Sequence, residues 1–198
     1  MWKMALPMPS IRKRGRWPYD HHPLTLLRYY TASFINLIIM QELQINQTMK
    51  LSQHFTLGEL TKTSYHTLDG NIPSHVAIEN LKCICEEWLE DLRFSYNLLY
   101  GDAEHEIPII INSGYRSEEV NMKCGGAKGS NHLTGCAVDI KCYGPEQMIR
   151  MAGILLDIAD GTKRDFDELI QEKRGSTYWI HFAVRPKDNR RKILFDCH

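Results

Sequence analysis

No charge of one sign dominates this chain of 198 residues, in which 24 lysines and arginines balance 24 aspartates and glutamates. A formal net charge of zero and a pI near 7.1 give no global field that would draw the protein onto nucleic acid or an anionic membrane. Any partner is therefore recognised at a local site. Internal repeats and low-complexity tracts are missing too, and 43% hydrophobic with 24% charged residues excludes collagen-like, coiled-coil and wholly disordered chains. The 6 cysteines are too irregularly spaced for a disulfide framework, no pair forms a CxxC knuckle, and Cys83 and Cys85 are too close to bridge inside a helix. They read as reduced thiols in a chain made in the cytosol. Trp88, Trp179, Tyr96, Tyr100 and Tyr115 form no regular stacking platform among basic residues, which argues against a nucleic-acid partner.

A long apolar run is also lacking. Leu24–Met40 is largely apolar after a basic, proline-containing stretch, but Arg28 interrupts it and it falls short of the roughly 20 residues of a membrane span. The basic region is too long for a signal peptide and no small-x-small cleavage site follows, so stable membrane insertion and signal-peptide secretion are not expected. At Met49 the composition becomes that of a regular domain. Residues 1–48 read as an N-terminal extension, either an upstream artefact of a start at Met49 or a disordered arm, with a genuine tail or weak membrane anchor as alternatives. Residues 49–186 read as the domain, and the basic end, residues 187–198, as a solvated tail.

Within the domain, Asp69-Gly70-Asn71 and Pro73 mark a loop before Ser74, which can cap a helix. Apolar residues from Val76 to Leu92 recur at helical spacing and predict a helix over 74–93. Pro108–Ile111 suits a short buried strand, and Ser117 with Glu118 and Glu119 has the cap and acidic first turn of another helix. Ala137–Lys141 reads as a strand and Pro145–Ala159 as a helix. Phe166–Glu172 and Tyr178–Val184 read as a strand pair joined by Lys173–Ser176. The expected class is α+β, a small mostly antiparallel sheet with flanking helices.

Chemistry concentrates between Ser113 and Asp139. His132 and Asp139 supply two metal-ligand types, and Gly135 between them can turn the chain back into the strand. Alone, such a pair is far more often structural or merely solvated. A third candidate, His181, sits on an apolar strand, where the alternative is a core histidine bonded to a carbonyl. Three such ligands leave a fourth tetrahedral zinc position open, as catalytic sites do.

The order Phe55-Thr56-Leu57-Gly58-Glu59-Leu60, Asp69-Gly70-Asn71-Ile72-Pro73, Ser113-Gly114-Tyr115-Arg116-Ser117, Val120-Asn121, Gly125-Gly126, the S-x-H-x-x-G-x-A-x-D block from Ser130 to Asp139, and Trp179-x-His181 closely resembles the zinc D-Ala-D-Ala carboxypeptidase family of peptidoglycan peptidases, in its phage and bacterial branch. The resemblance spans about residues 52–184. It implies the small α+β fold shared with the hedgehog signalling domain. It also implies one zinc ion on His132, Asp139 and His181, with Arg116 near the substrate carbonyl or carboxylate. A guanidinium suits that role because its fixed donors can stabilise a developing oxyanion. Ser130 is a candidate for bonding substrate or fixing its loop; a simple turn-forming serine is the alternative.

Several members of that family carry a catalytic acid three residues before the last histidine, where this chain has Tyr178. A general base must reach the attacking water. Glu172 is the candidate: if Lys173–Ser176 is a four-residue loop, Glu172 faces Thr177 and shares the sheet face of His181. Asp167 and Glu168 stand in reserve. Two functions follow. One is a peptidase, a monomer acting on a peptidoglycan stem peptide, made in the cytoplasm and released to the cell wall for lysis or remodelling. The other is a zinc-stabilised binding module of the same fold that does not cut.

Overall fold

The computed structural model describes residues 47–102 and 104–197. The expectations for the arm before residue 47 lie outside them. Thr56 caps a short helix, α1 (Leu57–Leu60), through a reciprocal capping box with Glu59, and Leu57 N donates to Met49 O at 2.8 Å. The buried Leu51, Phe55, Leu57 and Leu60 tie this opening segment to the core.

Helix α2 (His75–Ile84) starts at Ser74, whose hydroxyl accepts from Ala77 N, and runs through a π-helical turn (Cys85–Leu89) into α3 (Glu90–Tyr100). The helix expected to stop at residue 93 therefore continues to Tyr100. Leu92 and Tyr96, four residues apart, keep an apolar stripe buried over that extra length. Strand β1 (Ile111–Ser113) comes next, later than the expected strand, although Ile110 O still accepts from Lys141 N at 2.8 Å. Helix α4 (Glu118–Lys123) is capped by Ser117, as its sequence predicts. After a 3-10 turn (Asn131–Thr134) come β2 (Ala137–Cys142), α5 (Pro145–Thr162), β3 (Glu168–Arg174), β4 (Thr177–Ala183) and β5 (Lys192–Cys197).

The five strands form one sheet in the order β1-β2-β4-β3-β5, antiparallel except for the β3–β5 pair. This is the α+β architecture expected. Because side chains alternate along a strand, the sheet has two distinct faces. Val138, Ile140, Leu169, Ile180 and Phe182 point to one of them and are fully buried in a core shared with Leu81, Ile84, Trp88 and Leu155. Trp88 stands edge-on to Phe166 and tilted against Phe182, with ring centroids 6.2 and 5.0 Å away. Helix α5 packs across β2, β3 and β4 on that side. Burying each such side chain contributes about 1.5–3 kcal/mol, so the apolar face fixes which residues the opposite face presents. Asp139, His181, Ile170 and Glu172 belong to that opposite face.

Two sequence expectations need correction here. The β3–β4 connection is a two-residue turn, Gly175-Ser176, rather than a four-residue loop, so Glu172 pairs with Trp179 and not with Thr177. Gly175 takes φ +59°, which a tight hairpin of this kind requires. The register has moved by two residues, which leaves Glu172 on the expected face.

The second correction concerns residues 187–198, which are not a solvated tail. Asp167 is fully buried, and its carboxylate accepts from Arg190 Nε at 2.8 Å and a second Arg190 nitrogen at 2.6 Å. It also pairs with Arg185 at 2.8 Å and accepts from Asn131 Nδ2 at 2.8 Å. This anchor brings the chain round so that Lys192–Cys197 adds to the sheet beside β3.

Burial alone would raise the Asp167 pKa, but Arg190 and Asn131 hold the carboxyl well below the ordinary carboxylate range. A depressed folded-state pKa stabilises the protein above the unfolded value, about 4, and that contribution fades as the pH falls toward the folded value. Asp167→Asn should thus lower stability by about 2 kcal/mol at pH 7. Denaturant unfolding across pH should show the gap to the wild type shrinking below pH ~4.

Candidate metal centre

The β2–β4 register places Asp139 directly opposite His181, so both side chains leave the open face next to each other. The third group comes from the 3-10 turn. Ser130 caps that turn, its hydroxyl accepting from His132 N at 3.4 Å, and Gly135 ends it with φ +71°. A Cβ on Gly135 would stand 2.3 Å from Ala77 O, so both the turn and the close approach to α2 require glycine. His132 is 2% exposed and is aimed by its Nδ1, which donates to Gly114 O at 2.5 Å. Its Nε2 then faces the site as a free lone pair, the orientation that metal-binding imidazoles adopt.

His132 Nε2 lies 3.2 Å from Asp139 Oδ1 and 3.2 Å from His181 Nδ1, and those last two atoms are 3.0 Å apart. Tetrahedral zinc with bonds near 2.0–2.1 Å would separate its ligand atoms by about 3.3 Å, so this triangle fits such an ion with little adjustment. His132, Asp139 and His181 form the group among the described residues able to hold a metal. The donor chemistry agrees, since two imidazole nitrogens and one carboxylate suit zinc.

Electrostatics bind the triad tightly. Burial would raise the Asp139 pKa, yet His132 and His181 hold it far below its ordinary value. Burial likewise works against a charge on His181, but its contacts with Asp139 and Glu168 outweigh that and lift its pKa to about 9. The outer oxygen of Asp139, Oδ2, accepts from Arg116, whose Nε donates to Ser113 Oγ at 2.8 Å. Arg116 thus orients Asp139 while its remaining donors line the cleft. His181 Nε2 lies 3.6 Å from Glu168 Oε2, so a carboxylate stands behind the ring on the side away from Asp139.

A cleft of about 550 Å³ opens over these groups, lined by Arg116, Ser130, Glu172, Arg174 and Trp179 among others. All six residues singled out from the sequence, Arg116, Ser130, His132, Asp139, Glu172 and His181, meet here. The reserves separate: Asp167 is consumed by its arginines, while Glu168 reaches the cleft. Sequence reasoning missed Asn71 as a positioning residue. Its Oδ1 accepts from Ser117 N at 2.7 Å and its Nδ2 donates to Thr61 O at 2.7 Å, clamping the segment that carries Arg116. The turn-forming run Asp69-Gly70-Asn71 was the available signal, and Asn71 does adopt the left-handed region at φ +53°.

With this geometry in place, a comparison with family profiles finds Peptidase M15 over residues 53–156. The chain belongs to the peptidase M15 family. It is thereby assigned to the metallopeptidases. The matched segment contains Arg116, His132 and Asp139, whereas Glu172 and His181 lie beyond it and reach the site on β3 and β4. No curated protein matches the chain.

If the triad holds the metal, His132→Ala should lower bound metal from about one ion per chain to near zero in elemental analysis of the purified protein. Ser130→Ala removes only a weak cap and should leave the metal content near that of the wild type.

Proposed function

We propose that the protein is a zinc-dependent peptidase that hydrolyses a peptide bond in peptidoglycan stem peptides or crosslinks. The observation that carries this reading is the meeting, in one open cleft, of a three-donor metal triad, a guanidinium and a half-buried carboxylate. Zinc held by His132, Asp139 and His181 would supply Lewis-acid polarisation of the scissile carbonyl and of water. The protein's own residues supply the rest. Glu172 takes the proton of the attacking water and returns it to the leaving amine. Arg116, already held against Asp139 and Ser113, offers its other N–H groups to the oxyanion that develops on the carbonyl. Ser130 holds the loop of His132.

Glu172 is preferred over Glu168 as the base on charge grounds. His181 foremost, with Lys192 and Arg190, pulls the Glu168 pKa down to about 2, which makes it a poor proton acceptor. For Glu172, burial and then the negative charge of Asp139 push the pKa up. The Trp179 indole, directly across the ladder, hydrogen-bonds it without neutralising it. A basic carboxylate in the cleft favours the peptidase over a binding module that does not cut.

Among the described residues no helix is long and apolar enough to cross a membrane. A monomer synthesised in the cytoplasm and released to the cell wall, for lysis or remodelling, fits this reading.

Mass spectrometry of soluble fragments from peptidoglycan, incubated with the full chain with and without a zinc chelator, tests the proposal. New stem-peptide fragments that disappear with chelator are expected, and they identify the bond cleaved. A metal-loaded protein that releases nothing from several wall types would overturn it. Glu172→Gln should keep metal and fold but lower kcat by about 10²–10⁴-fold. Glu168→Gln should lower it far less.

A further inference from the structure

Three arginines line the cleft, Arg116, Arg174 and Arg190. Two are committed: Arg116 holds Asp139 and Ser113, and Arg190 holds Asp167 and Glu168. Arg174 differs. It is the last residue of β3, opposite Thr177 beside the hairpin turn, and its side chain is exposed. Among the described residues it has no acidic partner.

Its placement is set by strand periodicity. Glu168, Ile170, Glu172 and Arg174 alternate onto one sheet face, and Ile170 lies directly opposite His181. Neighbouring Lys173 points to the other face, where its ammonium lies 4 to 6 Å from an aromatic ring, that of Tyr178 at 5.6 Å. From the metal triad the cleft floor therefore runs past Glu172 and ends at a free guanidinium. Arg174 lies four residue steps along the strand from Ile170, about 13 Å of extended backbone, and the arginine side chain can reach back over part of it. An extended peptide whose scissile carbonyl lies at the triad would bring a group two to four residues away to Arg174.

We propose that Arg174 determines specificity by receiving a carboxylate of the stem peptide two to four residues from the scissile bond. This rests on the peptidase reading above. The guanidinium fork matches a carboxylate in geometry and charge, and a substrate lying over the cleft displaces water from the pair. The rest of the cleft agrees with the choice: Arg116 and Arg190 are held by the protein's own carboxylates, which leaves the guanidinium at the end of the floor available to one from the substrate.

The test uses the metal-loaded full chain and a synthetic stem peptide, once with free carboxylates and once with those carboxylates amidated. Affinity is read by calorimetry and turnover by chromatography. The wild type should bind the free peptide about three- to tenfold more tightly than the amidated one. Arg174→Ala should reduce that ratio to about one while hydrolysing the amidated peptide at the wild-type kcat, and Arg174→Lys should keep part of the preference. Equal wild-type affinity for both peptides, or an undiminished ratio in Arg174→Ala, would overturn the assignment. A fall in kcat on both peptides would do so as well, because it would mark Arg174 as structural. Should the wild type bind with the expected preference but cleave neither peptide, the peptidase reading fails while the binding role of Arg174 stands.

Discussion

The pairing register of β2 with β4 is the constraint on which the site depends. Asp139 faces His181 across that ladder, and a slip of one residue would send one of them to the face where Trp88 and Phe182 pack. The register is held by apolar burial on the far side: Val138, Ile140, Ile180 and Phe182 are all fully buried. On the near side, Ala137 opposite Ala183 and the bond from Val184 N to Cys136 O at 2.9 Å close the ladder next to the ligands. The core thereby sets the spacing of two donors. The third needs only a short loop that returns at the right place, and Gly135 supplies that return where α2 leaves no room for a side chain.

Charge around the triad is arranged in two networks joined at β3. Asp139 faces Arg116 on one side, and on the other Glu168 stands behind His181. Asp167 and Glu168 are neighbours in the chain, and Arg190 contacts both, lying 3.1 Å from a Glu168 oxygen. One guanidinium thus links a buried carboxylate that anchors the C-terminal segment to a carboxylate that borders a ligand histidine. The segment from Arg185 to Lys192 forms part of the wall of the site. Its basic residues suggest solvation only as long as the buried Asp167, some twenty positions earlier, is not known to meet them.

That distance explains what was legible in the sequence and what was not. His132 and Asp139 stood out through the family resemblance that the S-x-H-x-x-G-x-A-x-D block carries, and the caps at Ser74 and Ser117 are local signals read from a few residues. Strand existence was readable from alternation. The hairpin was not: Lys173 and Arg174 are polar, and polarity looks like a loop, but at the end of a strand with exposed positions it is equally compatible with strand. Strand β5 escaped for a related reason, since Ile193, Leu194 and Phe195 are too short a run to outweigh the basic stretch before them. The clamp made by Asn71 joins two loops more than forty residues apart and leaves no periodic trace.

Tyr178 and Glu172 present to opposite faces of the sheet. In a regular strand, residues three apart lie on opposite faces, so with His181 directed into the cleft, position 178 is directed away from it. Tyr178 accordingly pairs with Lys173 and meets its ammonium on the other face. On the neighbouring strand, Glu172 lies opposite Trp179, on the face that His181 also uses. Glu168 shares that face but is surrounded by Arg190, Lys192 and His181, and a carboxylate so well neutralised has little affinity left for a proton. Trp179 hydrogen-bonds Glu172 with a neutral donor, which draws its pKa down, but burial and then the charge of Asp139 outweigh that pull.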